Sequence, residues 1–136
     1  MNTGERMFEG KLKGYCCSEI IMDMALEDMG WPEDGRRPLI RAMGAYCNGL
    51  HEGLTCGTLC AAKSVLWLAA ENSKVADSEL GPEMMSWFEE RFGSWNCADL
   101  LQEDFTPSNK ALVCPIIVED TYIKLRDMLE DIGAVD

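Results

Sequence analysis

A chain of 136 residues, 47% apolar and 26% charged, is long enough for one domain with its own core and too apolar to be disordered. Its 24 acidic residues against 12 basic give a net charge of −12, with no basic patch for nucleic-acid phosphates or anionic lipid, so the acidity reads as a solvated surface. The opening MNTGERMFEGKLKG lacks an apolar signal core, and the longest apolar run, AAKSVLWLAA, carries a lysine and is too short to span a bilayer. No membrane insertion is expected, and the expected compartment is the reducing cytoplasm, where seven cysteines, an odd number, are not expected to build a disulfide scaffold.

Helical spacing recurs along the chain and no window alternates long enough to propose a strand. A first short helix is predicted from Glu5 to Lys13, stopped by Gly14. A second runs from about Cys17 to Met29 with Ile20, Ile21, Met24 and Ala25 facing inward, and GWPEDG ends it. A third, near Asp34 to Tyr46, has Pro38 close to its start and Gly44 near its end.

CNGLHEG is a loop in which Gly49 and Gly53 can take positive φ. Thr55 is then the expected cap of a fourth helix reaching about Asn72. With Leu59, Ala62, Leu66 and Ala69 on one stripe and apolar neighbours beside it, this is the expected central helix. SKVADSELGP reads as a polar connector. Pro82 suits the first turn of a fifth helix that ends at Gly93 after Trp87, Phe88 and Phe92. Asn96 is placed to cap a short helix through CADLLQ. The last helix is expected to take Pro115 in its first turn and to present Val118, Tyr122, Leu125, Leu129 and Ile132 as one stripe. The expected fold is a single all-α domain, residues 1–136, a bundle of five or six helices with short connections.

On this scaffold Cys17, Cys56, Cys97 and Cys114 all fall at predicted helix N-termini. Unpaired N–H groups and the positive end of the helix dipole favour thiolate there. The other three differ. Cys16 is vicinal to Cys17, where a disulfide between neighbours is strained. Cys47 ends the third helix. Cys60 shares a helix face with Cys56, and their Cβ atoms, roughly 5–6 Å apart, are too distant for a disulfide although a metal ion could bridge them.

GYCCSEI, GLTCG, RFGSWNCADL and CPIIVEDTYIKLRDMLED resemble the successive blocks of the C-GCAxxG-C-C family of redox-active proteins, from Gly14 to the last helix. Carried over residue by residue, the family cysteines are Cys17, Cys56, Cys97 and Cys114. Within the motif, CGTLCA departs by placing Thr58 where the family has alanine and carries a further cysteine, Cys60. Cys60 either fills space in the packing of the helix or adds a fifth thiol. The resemblance implies an all-helical fold and a redox or metal role.

Three functional classes follow. In the first, the four cysteines form a thiol–disulfide or electron-transfer site, with Cys56 the most nucleophilic and Cys17, Cys97 or Cys114 its partner. Such a site works with a redox partner protein or a small-molecule oxidant or reductant. In the second, the same four thiolates bind zinc or an iron–sulfur cluster, with Cys60 or His51 as extra ligands, although no CxxC spacing occurs. His51, the sole histidine, otherwise reads as a solvated loop residue or a proton carrier. In the third, the protein is a helical adaptor whose cysteines, methionines and Trp67, Trp87 and Trp95 serve packing. GxSxG, HExxH and Walker motifs are absent, which disfavours conventional hydrolases.

Overall fold

In the computed structural model, which describes residues 1–136, six helices of ten or more residues are joined by shorter helical turns, and no strand forms. They are α1 (Thr3–Leu12), α2 (Cys17–Asp28), α3 (Glu33–Met43), α4 (Gly57–Ala69), the single turn α5 (Ser73–Val75), α6 (Gly81–Phe92), the short α7 (Cys97–Leu100) and α8 (Pro107–Asp131). The domain is therefore all-α, and no helix is long and apolar enough to cross a membrane.

Local signals set the starts. The Asn2 side chain accepts from Glu5 N at 2.8 Å and begins α1. Cys16 N donates to Glu19 Oε1 at 3.0 Å, the reciprocal half of a capping box, and begins α2. At the other end of α6, Gly93 takes φ +90° and stops the helix.

The core forms around α2 and α4. Ile20, Ile21, Met22, Ala25 and Leu26 of α2 are buried with Leu59, Ala61, Ala62, Val65 and Leu66 of α4. Met84 and Phe88 of α6 and Val118, Tyr122, Leu125 and Leu129 of α8 close the cluster. Each large apolar side chain so buried contributes roughly 1.5–3 kcal/mol. At the C-terminal end of α2, away from Cys17, Asp28 holds Arg6 of α1 at 3.0 Å and Arg126 of α8 at 2.7 Å. Arg6 also donates to the Tyr122 hydroxyl at 3.0 Å, so α1, α2 and α8 are tied together there.

Several boundaries differ from the sequence expectation. Thr55 does not cap α4: it pairs with Asn96 in an isolated antiparallel bridge, and Cys56 occupies the cap position. The helix stops at Ala69, where Ala70 turns extended, and Trp67 and Leu68 on its outer side are 44% and 40% exposed. SKVADSELGP is helical rather than a plain connector, because Asn72 accepts from Val75 N at 3.0 Å and Ala76 and Leu80 are buried. Pro38 lies in the interior of α3, which continues as a tighter turn over Gly44–Tyr46.

The largest difference concerns α8. It begins eight residues before Pro115, with Pro107 at its first position and the Thr106 hydroxyl accepting from Asn109 N at 3.4 Å. Pro115 is tolerated inside it, where Leu112 and Ile116 are exposed and water can satisfy the freed carbonyl. Of the expected α8 stripe, Ile132 alone is exposed, at 39%.

Candidate functional site

Two hydrogen bonds fix the starts of α4 and α7 side by side. Cys56 N donates to Trp95 O and Cys97 N to Leu54 O, each at 2.7 Å, around the Thr55–Asn96 bridge. Gly57 brings the third helix start against them. A Cβ at Gly57 would strike the Tyr46 carbonyl, so only glycine lets α4 begin this close to the Gly44–Tyr46 turn, with Ser18 of α2 packed alongside. The loop before α4 is equally tight, since a Cβ at Gly49, at φ +60°, would overlap the Leu54 backbone.

The first residue of α2, the cap of α4 and the first residue of α7 are therefore Cys17, Cys56 and Cys97. Cys114 joins them from two turns inside α8, not from a helix start, because α8 begins at Pro107. These four, with Cys16 and Cys47, line one cavity of about 50 Å³ that Thr58 and Ile117 also border. Cys56 and Cys97 are buried, whereas Cys17 and Cys114 are partly exposed.

Two residues considered as extra ligands lie elsewhere. Cys60 borders a separate apolar groove of about 490 Å³ with Met22, Leu39, Met43 and Trp67. His51 is exposed in an outer polar pocket with Glu52, Phe105 and Lys110, and its Nε2 pairs with Gly44 O at 3.0 Å. Nor do the three tryptophans form a cluster. Trp87 packs edge-on against Phe88 and Phe92, Trp95 donates to Met85 O, and Trp67 borders the groove.

Pairing among the cysteines also departs from expectation. Cys16 and Cys47 form a disulfide with Cα atoms 6.2 Å apart, closing a sequence separation of 31. The two residues look unremarkable in sequence because neither falls in a family block as a motif cysteine, and only the turn after α3 brings Cys47 back to α2. Ser18 Oγ, fully buried, lies 3.2 Å from Cys16 Sγ and 3.4 Å from Cys47 Sγ, and donates to Met43 O at 2.7 Å.

The thiols differ sharply in acidity. The neighbouring Cys114 thiol favours the thiolate at Cys17, and this is the main cause that lowers Cys17 to about 7. Burial opposes it, while the Lys11 charge, the Thr58 hydroxyl and the α2 backbone N–H help. Cys114 is correspondingly driven far up, by holding its proton toward Cys17 and by burial. Burial pushes Cys56 up to about 11, outweighing donation from Leu59 N, Thr58 N and the Thr58 hydroxyl. Cys97 is also raised, by burial first and by the Cys17 charge second. Cys56, expected to be the most nucleophilic of the four, is thus raised, because desolvation there outweighs the help of the helix start, and Cys17 is the one that is lowered. Thr58, noted in sequence only as a departure from the family motif, faces both Cys17 and Cys56.

Tetrahedral zinc requires four sulfurs roughly 3.8 Å apart around the ion. No three of the Cys17, Cys56, Cys97 and Cys114 sulfurs lie within 4.8 Å of one another; the trio that does is Cys16, Glu19 and Cys47, two of which form the disulfide. The four family cysteines in this arrangement do not fit a zinc ion. What the arrangement offers is one thiol shifted toward thiolate, a neighbouring thiol shifted away from it and a small cavity that holds a few waters at most.

No curated protein and no solved structure matches this chain. Residues 15–128 match the family described as "Putative redox-active protein (C_GCAxxG_C_C)", and the chain belongs to that family.

Proposed function

We propose that the protein is a dithiol–disulfide redox protein in which Cys17 is the nucleophile and Cys114 the resolving thiol. The observation that carries this reading is that Cys17 and Cys114, pushed to opposite sides of the ordinary thiol range, are the two partly exposed cysteines of the four that line the cavity. The Cys17 thiolate attacks one sulfur of an incoming disulfide, forms a mixed disulfide and expels the other half as a thiolate. Cys114 then gives up its proton, attacks Cys17 Sγ and expels the second half. The substrate disulfide is reduced by two electrons, and Cys17 and Cys114 are oxidised to a disulfide.

Cys17 suits the first step because a thiol with pKa near ambient pH balances thiolate fraction against nucleophilicity. Cys114 suits the second because, as a neutral thiol, it stabilises the Cys17 thiolate until that sulfur is consumed. Cys56 and Cys97, buried and raised, stay protonated and form the inner wall.

The test is differential alkylation with peptide mass mapping before and after mild oxidation of anaerobically purified protein, alongside iron, zinc and sulfide analysis. The expected result is loss of the Cys17 and Cys114 thiols together, with a Cys17–Cys114 linkage recovered. Iron with acid-labile sulfide overturns the reading in favour of a cluster. Unchanged, freely alkylated Cys17 and Cys114 leave only a packing role.

A further inference from the structure

The cavity holds more sulfur than the four-cysteine motif accounts for. Cys16 and Cys47 line it beside Cys17, and they are bonded to each other while Cys17 and Cys114 are free. With a cavity of about 50 Å³, a few waters at most, no atom of another molecule need stand between the two couples. We propose that Cys16 and Cys47 are a second redox couple, which receives the disulfide formed at Cys17 and Cys114 by exchange across this cavity. This inference rests on the reading of Cys17 and Cys114 as a redox pair.

Exchange needs no outside reactant. Starting from a Cys17–Cys114 disulfide, Cys47 loses its proton and attacks Cys17 Sγ. The Cys17–Cys114 bond breaks, and Cys114 leaves as a thiolate that takes up a proton. Cys16 then loses its proton and attacks Cys47 Sγ, the Cys17–Cys47 bond breaks, and Cys17 leaves as a thiolate. One disulfide and two reduced sulfurs are present before and after; only their positions change. Cys47 rather than Cys16 takes the first step because a bond from Cys16 to Cys17 would be a strained disulfide between neighbours.

The surroundings set the direction. The outer couple is the one whose thiolate is stabilised, at Cys17, by Cys114, Lys11, Thr58 and the start of α2. A stabilised thiolate makes its own disulfide the more oxidising one. Around Cys16 and Cys47 the balance is opposite. The Glu19 carboxylate lies within 4.8 Å of both sulfurs and disfavours negative charge there. The Ser18 proton is directed to Met43 O, so Ser18 Oγ meets the two sulfurs as an acceptor suited to S–H, not as a donor to S⁻. Those thiols are therefore easily surrendered to a disulfide. Oxidising equivalents that enter at the partly exposed Cys17 and Cys114 come to rest at Cys16–Cys47, which frees the outer pair for a second turnover.

The relay is tested on the fully reduced protein given one equivalent of diamide, acid-quenched over time, alkylated and mapped by peptide mass. In wild type the Cys17–Cys114 linkage appears first and gives way to Cys16–Cys47. In Cys16→Ser the transfer halts at a Cys17–Cys47 linkage. In Cys17→Ser, formation of Cys16–Cys47 slows by at least about tenfold, the loss expected when the attacked sulfur is removed. Persistence of Cys17–Cys114 with Cys16 and Cys47 still alkylated overturns the relay and leaves the proposed function standing. Formation of Cys16–Cys47 at an unchanged rate in Cys17→Ser overturns the relay as well. If wild-type Cys17 never enters any linkage, the relay and the proposed function fall together.

Discussion

Cys17 and Cys114 line the same cavity, and the influence of each on the other lowers the first thiol and raises the second. It makes Cys17 reactivity a direct reading of Cys114. With Cys17 at about 7, its rate of alkylation should rise with pH up to that value and level off above pH 8, where the thiolate fraction is already near one. An ordinary cysteine would go on accelerating past pH 9. Cys114→Ala removes that thiol, so the midpoint should move upward and alkylation at pH 7 should slow by about fivefold for the first unit moved and about tenfold for each further unit. A midpoint unchanged in Cys114→Ala, followed by peptide-resolved iodoacetamide labelling, would show that the pair is not coupled.

Thr58 gives an independent handle on the same thiol. Its hydroxyl favours the thiolate at Cys17 and, more weakly than burial disfavours it, at Cys56. Thr58→Val keeps the volume and removes the donor, so Cys17 labelling at pH 7 should fall, whereas Thr58→Ser should keep it. A steric role alone predicts the reverse order, since valine preserves the shape and serine does not. Comparing the two labelling midpoints decides between them. Thr58→Ala, the family's own residue, should behave like valine in acidity.

The helical fold was legible because α2, α4 and α6 carry long apolar stripes with glycine or cap residues at their ends. Cys17 and Cys97 were placed at helix starts by the same local signals. Cys114 was not, because Pro115 resembles a start and the true one, Thr106-Pro107, lies in a stretch too polar to register as periodic. The Cys16–Cys47 pair could not be read locally at all, since it depends on where the turn after α3 returns the chain. Acidity was the other loss. A helix start says which thiols are favoured, but desolvation and the Cys114 contact decide the order, and both belong to the packed structure.

Gly57 should be the least tolerant position near the site. Its neighbours are the Tyr46 carbonyl, which is backbone and cannot swing aside, and the Ser18 side chain, already engaged with Met43 O. Gly57→Ala forces the start of α4 away from the Gly44–Tyr46 turn, and an insertion of this kind into a packed contact costs about 1–3 kcal/mol. The expected result is a lower midpoint in urea unfolding together with a higher Cys17 labelling midpoint, because the same shift carries Thr58 away from Cys17. An alanine variant of wild-type stability would mean that the contact of α4 with the Tyr46 carbonyl is looser than described.

Cys60 belongs to the motif segment but not to the cysteine cavity. It stands one turn beyond Cys56, yet it borders the apolar groove, and burial raises its thiol. If Cys60 were a fifth thiol of the site, Cys60→Ala would alter both the number of thiols lost on mild oxidation and the Cys17 midpoint. Its place outside the cavity predicts that neither changes, and that only the total thiol count falls, by one. Cys60→Gly makes the same redox prediction but a different one for stability, because glycine inside α4 costs about 1 kcal/mol relative to alanine. Thiol titration and urea unfolding of the two variants separate these effects: equal redox behaviour with unequal stability assigns Cys60 to the packing of α4, and a redox change in either variant assigns it to the site.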